Sequence, residues 1–425
     1  MATNDARWTA IPEVGHTADQ VLADLAATKA HDRDWRSGKV FSLVYSAGDP
    51  IHELHAEALR LFSAENGLNV MAFPSIGILS RDLVGFAVDL LGGGVPTVNG
   101  YLTSGGTESL LQTMKVARDV GRERGIARPK VIAARSAHAA FTKAAELFDL
   151  ELVRVGVTAG FTLDLDQMEE AIDERTIMLV GSAPTYPHGV IDPLEAIGAI
   201  ALEHDLLFHV DACLGGFLLP WLTELGHVTT PFTFAIDGVT SMSADLHKYG
   251  YASKGVSVIL YRDKTLARHQ VFLTEDWMGG LYGSTVLAGT RPAGPIAAAW
   301  ATVMRLGRQG YLELAETTWQ AARRLIAGVG EIPGLMVLGE PDMTVLAIGA
   351  TATAGINVFG VADELSRSGG WYLDRQSDPD ALHLTVHAGS APSVEPFLAD
   401  LTVATATVTG KGEGDRSVPY ATDQL

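Results

Sequence analysis

At 425 residues the chain is about three times the usual ~150-residue domain, enough for two or three domains or one large core with appendages. Apolar residues make up 47% and charged residues 19%, a balance that excludes a disordered or collagen-like chain. Lys and Arg number 31 against 50 Asp and Glu, a net charge of −19, which disfavours partners with phosphate backbones or anionic lipid surfaces.

Residues 1–75 read as an N-terminal helical segment. The first twenty residues have neither a basic stretch nor an apolar one, so no signal peptide is expected, and no apolar run reaches the ~18 residues of a membrane span. Thr17 followed by Gln20 forms a capping box ahead of Val21, Leu22 and Leu25. Asp49-Pro50 reads as a cap and first-turn proline ahead of Leu54, Ala58 and Leu61. These helices are expected to drape over a larger body. His52 and His55 share a helix face with Glu53 and Glu57 and are expected to be solvated rather than metal-bound, because no further ligands converge there.

From residue 76 to 310 short β-branched runs alternate with helical ones, the pattern of βα units feeding a mainly parallel sheet. Strands are expected at 130–133, 152–155, 177–181, 206–210, 239–242 and 257–261, with helices at 107–124, 137–148, 165–173 and 193–204. A helix-rich stretch follows at 295–329, then strands at 335–338, 344–348 and 382–386 and helices at 357–368 and 394–403. Residues 311–409 therefore read as a small α+β domain, and 410–425, polar with Gly and Pro, as a flexible tail. The single cysteine, Cys213, cannot form an internal disulfide, which suits a reducing compartment; the cytoplasm is the expected location.

Four local features carry chemistry. Thr103-Ser104-Gly105-Gly106-Thr107-Glu108-Ser109 opens a long helix with a glycine pair, which is either an ordinary capped loop or a phosphate cradle of free N–H groups at the positive end of the helix dipole. His209-Val210-Asp211-Ala212 ends an apolar strand in an acid, where open α/β sheets bind ligands; a helix cap is the plainer reading. Lys248 sits in a Gly/Ser/Tyr-rich loop after another strand, a place where a lysine can lose its solvation and form a Schiff base, although most lysines are solvated surface groups. His138, at a strand-to-helix turn, either stacks on a planar ligand or is a satisfied core histidine.

Their order decides between these readings. A phosphate cradle, an aromatic stacker, a strand-end acid and, 37 positions later, a lysine are what pyridoxal 5′-phosphate needs. The phosphate takes the helix start, the pyridinium nitrogen takes a carboxylate, and the aldehyde takes an amine.

At these residues the chain resembles the sphingosine-1-phosphate lyase family, a branch of the group II pyridoxal-phosphate decarboxylases of fold type I. The resemblance is carried by GYLTSGGTESLL, RSAHAAFTKAA, GSAPTYPHGVIDP, HVDACLGGF and SADLHKYGYASKGVSVILYRD, and runs from about Val40 to His387. It implies a large cofactor-binding α/β domain with a seven-stranded sheet, a small C-terminal domain, and a homodimer with its active site at the subunit interface. Residue by residue, it implies Lys248 as the Schiff-base lysine, Asp211 on the pyridine nitrogen and His138 on the ring. Gly105, Gly106, Thr107 and His247 would hold the phosphate. Ser284, in YGSTVLAGTRPAG, would reach the phosphate of the neighbouring subunit, while Lys254 and Tyr45 would serve the substrate. The activity implied is retro-aldol cleavage of a phosphorylated long-chain amino alcohol to an aldehyde and phosphoethanolamine, with amino-acid decarboxylation as the alternative that the same core supports. No metal and no nucleic-acid partner is expected.

One departure bears on the substrate. The family carries a histidine in an Asn-x-Leu-His segment, and here that segment reads Asn66-Gly67-Leu68-Asn69. Asparagine donates a hydrogen bond but cannot shuttle a proton. Cys213 is expected to be buried packing. For His188 and Arg291 a loop-supporting role and a substrate or interface role stand open.

Overall fold

The computed structural model describes residues 10–408, so the expected tail lies outside the described residues. Helix α1 (Ala18–Lys29) starts with the expected capping box: Thr17 Oγ1 accepts from the Gln20 N–H, and Gln20 Oε1 accepts from the Thr17 N–H at 2.9 Å. Its apolar residues Val21, Leu22 and Leu25 are nevertheless exposed, so it does not drape over the rest of this chain. In α2 (Asp49–Leu61) the cap is Gly48, at φ 97°, and Asp49 is already helical. A left-handed backbone suits glycine, which moves the expected cap back by one residue. Helix α3 (Pro74–Leu91) buries Ile76, Leu83, Ala87 and Leu91, one face at helical spacing.

Seven strands form the main sheet: β1 (Asn99–Thr103), β2 (Lys130–Ala134), β3 (Glu151–Val155), β4 (Thr176–Ser182), β5 (Leu207–Asp211), β6 (Ser241–Ala244) and β7 (Ser257–Tyr261), in the order β1-β7-β6-β5-β4-β2-β3. Strands β2 through β6 pair in parallel, and β7 runs antiparallel to both of its neighbours. Strands β2, β4 and β5 are buried throughout, which accounts for their near-continuous apolar runs. Strand β1 escapes sequence reasoning because Asn99-Gly100 looks like a turn; a Cβ on Gly100 would sit 2.1 Å from the Ile259 carbonyl oxygen, so close pairing demands the glycine. Strand β6 lies later than expected because its serines belong to the sheet.

The crossovers carry α4 (Gly106–Glu123), α5 (Ala140–Phe148), α6 (Leu165–Glu170) and α7 (Leu194–Glu203), with α8 (Leu219–Glu224) and α9 (Lys264–Ala267) flanking the last strands. A two-stranded hairpin, β8 (Phe272–Thr274) and β9 (Tyr282–Ser284), then exposes Phe272, Leu273, Trp277, Met278 and Leu281.

Helix α10 (Ala293–Gly330) runs 38 residues, broken only at Gly307, where φ is 59°. Ile296, Ala299, Tyr311 and Ala315, on both sides of that break, join the large core, and Ala322, Leu325 and Val329 further along join a separate C-terminal core. The boundary expected at residue 310 therefore falls inside a helix. The second core closes around β10 (Leu335–Val337), β11 (Val345–Ala350), α11 (Val358–Gly369), β12 (Asp374–Gln376), β13 (Ala381–Thr385) and α12 (Val394–Val408), whose antiparallel sheet runs β10-β11-β13-β12. Against α10, His55 is buried with its Nε2 2.8 Å from Thr302 Oγ1, and His52 Nε2 lies 3.0 Å from Ser46 Oγ. The expectation of a solvated face fails at His55, which α10 covers, whereas Glu53 and Glu57 are exposed.

Among the described residues no helix is long and apolar enough to cross a membrane. No group of three or more His, Cys, Asp or Glu among them could hold a metal ion.

Candidate active site

Parallel strands β2, β5 and β6 end on the same side of the sheet, so the loops that follow them converge with the start of α4. They enclose a cavity of about 500 Å³ lined by Gly105, Gly106, Thr107, His138, Asp211, Asp245, His247 and Lys248, together with Cys213 and Glu108. This is within the usual size range for small-molecule sites.

The start of α4 is built for close approach. A Cβ on Gly106 would lie 2.7 Å from Asp245 Oδ2 and 2.9 Å from Cys213 Sγ, so only glycine fits. The first N–H groups of a helix have no intrahelical partner and favour an anion. Glu108 fastens the approach to this cradle: Oε2 accepts from Ser104 N–H at 2.7 Å and from Ser104 Oγ at 2.6 Å, and Oε1 accepts from Leu287 N–H at 2.8 Å.

His138 follows β2. Its Nδ1 accepts from the Ala140 N–H at 3.1 Å, and burial, partly offset by Asp211, lowers its pKa, so the ring is neutral at physiological pH. Arg154, on β3, pins this turn by donating to the carbonyls of Ala134 and Ala137 at 2.9 and 2.8 Å. Asp211 ends β5 and accepts at Oδ1 from the Cys213 N–H at 3.1 Å and from Ser243 Oγ at 3.3 Å.

Lys248 Nζ lies 3.0 Å from Asp245 Oδ2, and that carboxylate is only 1% exposed. Burial opposes charge on both groups, but their mutual attraction, helped at Asp245 by His247 and Ser257, outweighs it: the Lys248 pKa is raised and that of Asp245 is held below its ordinary value. His247 sits 3.6 Å from the same oxygen, yet burial lowers its pKa to about 4; its Nδ1 is buried without a protein partner.

Lys254 donates from Nζ to the His247 carbonyl at 2.9 Å and lies 5.0 Å above the Tyr45 ring. The residue is exposed along its length, but crowding of its ammonium by protein, and then the charge of Lys248, lowers its pKa to about 8. Tyr45 packs edge-on against Tyr249 at 4.9 Å between ring centres.

Ser284 does not reach this cavity; its Oγ donates to the Val286 carbonyl at 2.9 Å, and Leu287 and Ala288 form the wall instead. His188 and Arg291 also lie off the lining; His188 stacks on Phe161 at 3.9 Å, and Arg291 packs beside Gly67. Asn69 accepts at Oδ1 from the N–H groups of Met71 and Ala72 at 2.9 and 3.3 Å, fixing the turn before α3. Cys213 is buried as expected, and burial raises its thiol pKa well above the ordinary value.

Residues 6–348 match the family model of the pyridoxal-dependent decarboxylase conserved domain. A sphingosine-1-phosphate lyase of Oryza sativa is 41% identical over 410 residues, covering 94% of this chain and 75% of that protein. Sphingosine-1-phosphate lyase 1 of Rattus norvegicus is 38% identical over 395 residues, covering 92% and 68%. The chain belongs to the sphingosine-1-phosphate lyase family. A solved Burkholderia pseudomallei sphingosine-1-phosphate lyase superimposes with a TM-score of 0.91 at 39% identity, over 96% of this chain and 95% of that one. A Lactobacillus brevis glutamate decarboxylase, at 18% identity and a TM-score of 0.84, shares the fold. The protein is thus an enzyme, a lyase whose cofactor is pyridoxal 5′-phosphate. The cavity fits that group: the glycine cradle, the unpartnered His247 Nδ1, the strand-end Asp211 and the Lys248 amine are the donors and charges it requires.

Sequence reasoning missed Asp245, Glu108 and Arg154. For Asp245 a signal existed, an acid three residues before the lysine, since a buried amine needs a countercharge.

Proposed function

We propose that the protein cleaves a phosphorylated long-chain amino alcohol, of the sphingosine or sphinganine 1-phosphate type, between Cα and Cβ. The products are a fatty aldehyde and phosphoethanolamine. The observation that carries this reading is the single cavity in which Lys248, Asp211, His138 and the Gly105-Gly106 helix start meet, in a chain whose relatives are sphingosine-1-phosphate lyases.

Bound there, pyridoxal 5′-phosphate supplies an electron-poor ring that accepts the electron pair left when a bond to the substrate α-carbon breaks. Lys248 supplies the amine for its aldehyde, held in place by Asp245. Asp211 would face the ring nitrogen as its acid partner, and the neutral imidazole of His138 would cover the ring. Gly105, Gly106 and Thr107 bind the phosphate through the helix start, with a hydrogen bond donated by His247 Nδ1. Lys254 and Tyr45 face the substrate phosphate, where a lysine of pKa about 8 remains largely cationic at neutral pH.

The functional unit in this reading is a homodimer. Ser284 is not among the residues lining its own cavity, and it sits on the hairpin that exposes Trp277, Met278 and Leu281, an apolar patch suited to a second subunit. A cytoplasmic setting agrees with a lone, buried cysteine.

Incubation with sphinganine 1-phosphate tests the reading through its products. Aldehyde and phosphoethanolamine in equal amounts, lost in Lys248→Ala, are expected. Carbon dioxide from an amino acid, with no aldehyde from the phosphorylated substrate, replaces this reading with the decarboxylase one.

A further inference from the structure

Behind Asp211 lies a set of buried polar side chains that the proposed chemistry does not use. The parallel register of β5 and β6 sets His209 opposite Ser241 and Asp211 opposite Ser243. His209 and Ser243 are 0% exposed, Thr113 2% and Ser241 3%. His209 Nδ1 lies 2.8 Å from Ser241 Oγ and 3.2 Å from Thr113 Oγ1, the latter carried on α4. Its Nε2 lies 3.3 Å from Ser243 Oγ, which in turn lies 3.3 Å from Asp211 Oδ1.

The chemistry of these groups gives the set a direction. As a carboxylate Asp211 only accepts, so the Ser243 hydroxyl proton must point to it. The Ser243 oxygen is then left to accept, from the Cys213 thiol at 3.3 Å and from His209 Nε2, and the second bond requires a proton on that nitrogen. A neutral imidazole protonated at Nε2 accepts at Nδ1, from Ser241 or Thr113. Burial keeps His209 in that neutral form, lowering its pKa to about 4 against a smaller opposing pull from Asp211.

We infer that His209 and Ser243 are positioning residues for Asp211, forming a one-way hydrogen-bond relay that fixes Oδ1 and leaves the other carboxylate oxygen for the cofactor's ring nitrogen. This rests on the reading of Asp211 as the acid opposite that nitrogen. The relay does two things. It holds the carboxylate rotamer in a site where a rotation would cost the ion pair, and it keeps the free oxygen directed at the ring nitrogen. The two upstream hydroxyls are redundant, because either serves Nδ1 alone.

The test uses full-length protein reconstituted with pyridoxal 5′-phosphate labelled with ¹⁵N in the ring. Cofactor affinity is read by fluorescence titration and ring protonation by the ¹⁵N chemical shift, with melting temperature as the control for folding. Ser243→Ala is expected to bind the cofactor about tenfold more weakly and to move the ring ¹⁵N toward its unprotonated value. Asp211→Asn should move it further, and Ser241→Ala should leave both readings where they are. An unshifted ¹⁵N in Ser243→Ala, while Asp211→Asn shifts, overturns the relay but keeps Asp211 in its role; no shift in either overturns both. An equal shift in Ser241→Ala also overturns the relay, since it would reflect general loosening. If Ser243→Ala does not fold, the histidine ¹⁵N spectrum of the unsubstituted holoenzyme decides. His209 protonated at Nε2 alone from about pH 6 to pH 9 sustains the proposal, and a proton at Nδ1 refutes it.

Discussion

Replacing Asp245 with asparagine keeps the shape of the side chain and removes the countercharge of Lys248. The carboxylate lies 3.0 Å from Nζ and is 1% exposed, so the lysine left behind has neither full hydration nor a charge partner. Two routes bound the cost to the cofactor-free protein. Breaking a buried ion pair by removing one partner destabilises by ~3–5 kcal/mol. Alternatively the lysine sheds its proton, which at pH 7 and an ordinary pKa of about 10.4 costs ~1.36 kcal/mol per unit, or about 4.6 kcal/mol. A loss of about 3 kcal/mol at pH 7 is expected, since the side chain of Lys248 keeps 20% of its exposure. The pH dependence has a definite sign. In the native protein the raised pKa of Lys248 contributes stability that persists until pH passes its folded value; in the variant the lysine titrates low, so the unfolded chain binds more protons and stability climbs with pH. The deficit should therefore shrink between about pH 7 and pH 10. Urea denaturation of Asp245→Asn, Lys248→Met and the double variant measures both effects, and the two changes should couple by ~2 kcal/mol or more. Additivity to within about 0.5 kcal/mol, or a deficit that does not change with pH, would refute the countercharge argument.

Three further outcomes follow from the site. Gly106→Ala drives a methyl group against Asp245 and Cys213, so cofactor affinity should fall at least tenfold, with a stability loss of ~1–3 kcal/mol, read by fluorescence titration and thermal melting. With Lys254 at a pKa of about 8, KM for the phosphorylated substrate should rise as pH passes about 8, where the cation is lost; Lys254→Arg, which stays charged, should flatten that rise, and an unchanged profile speaks against phosphate contact. Asn69→His places a titratable group where the family carries one, and should raise kcat/KM for phosphorylated over unphosphorylated substrate more at pH 6.5 than at pH 8; equal turnover of both removes position 69 from substrate selection.

The residues that line the cavity were legible in the sequence because each sits in a short local pattern whose chemistry is self-contained: a glycine pair at a helix start, an acid at a strand end, a lysine in a small-residue loop. Their convergence follows from parallel strands that end on one side. What escaped was set by register. Ser243 looks like a loop residue just past the strand expected at 239–242 until β6 is paired with β5, and only then do Ser241 and Ser243 meet His209 and Asp211. Glu108 reads as an ordinary first-turn acid until Leu287, far along the chain, comes within 2.8 Å. His55 appears solvated among glutamates, and only the presence of Thr302 on α10 explains its burial. Asn69 was legible as a departure, and its present occupation, two backbone N–H groups of its own turn, was not.

The long helix α10 joins two cores without a linker, and its break at Gly307 is a single residue. Cutting the chain there would not release two pieces. The large core would lose Tyr311 and Ala315, which lie past the break on the same stretch of helix that supplies Ala322, Leu325 and Val329 to the C-terminal core. Proteases that need an unfolded stretch should find none between the two bodies, and amide exchange across residues 308–330 should track the unfolding of the whole molecule rather than of either part.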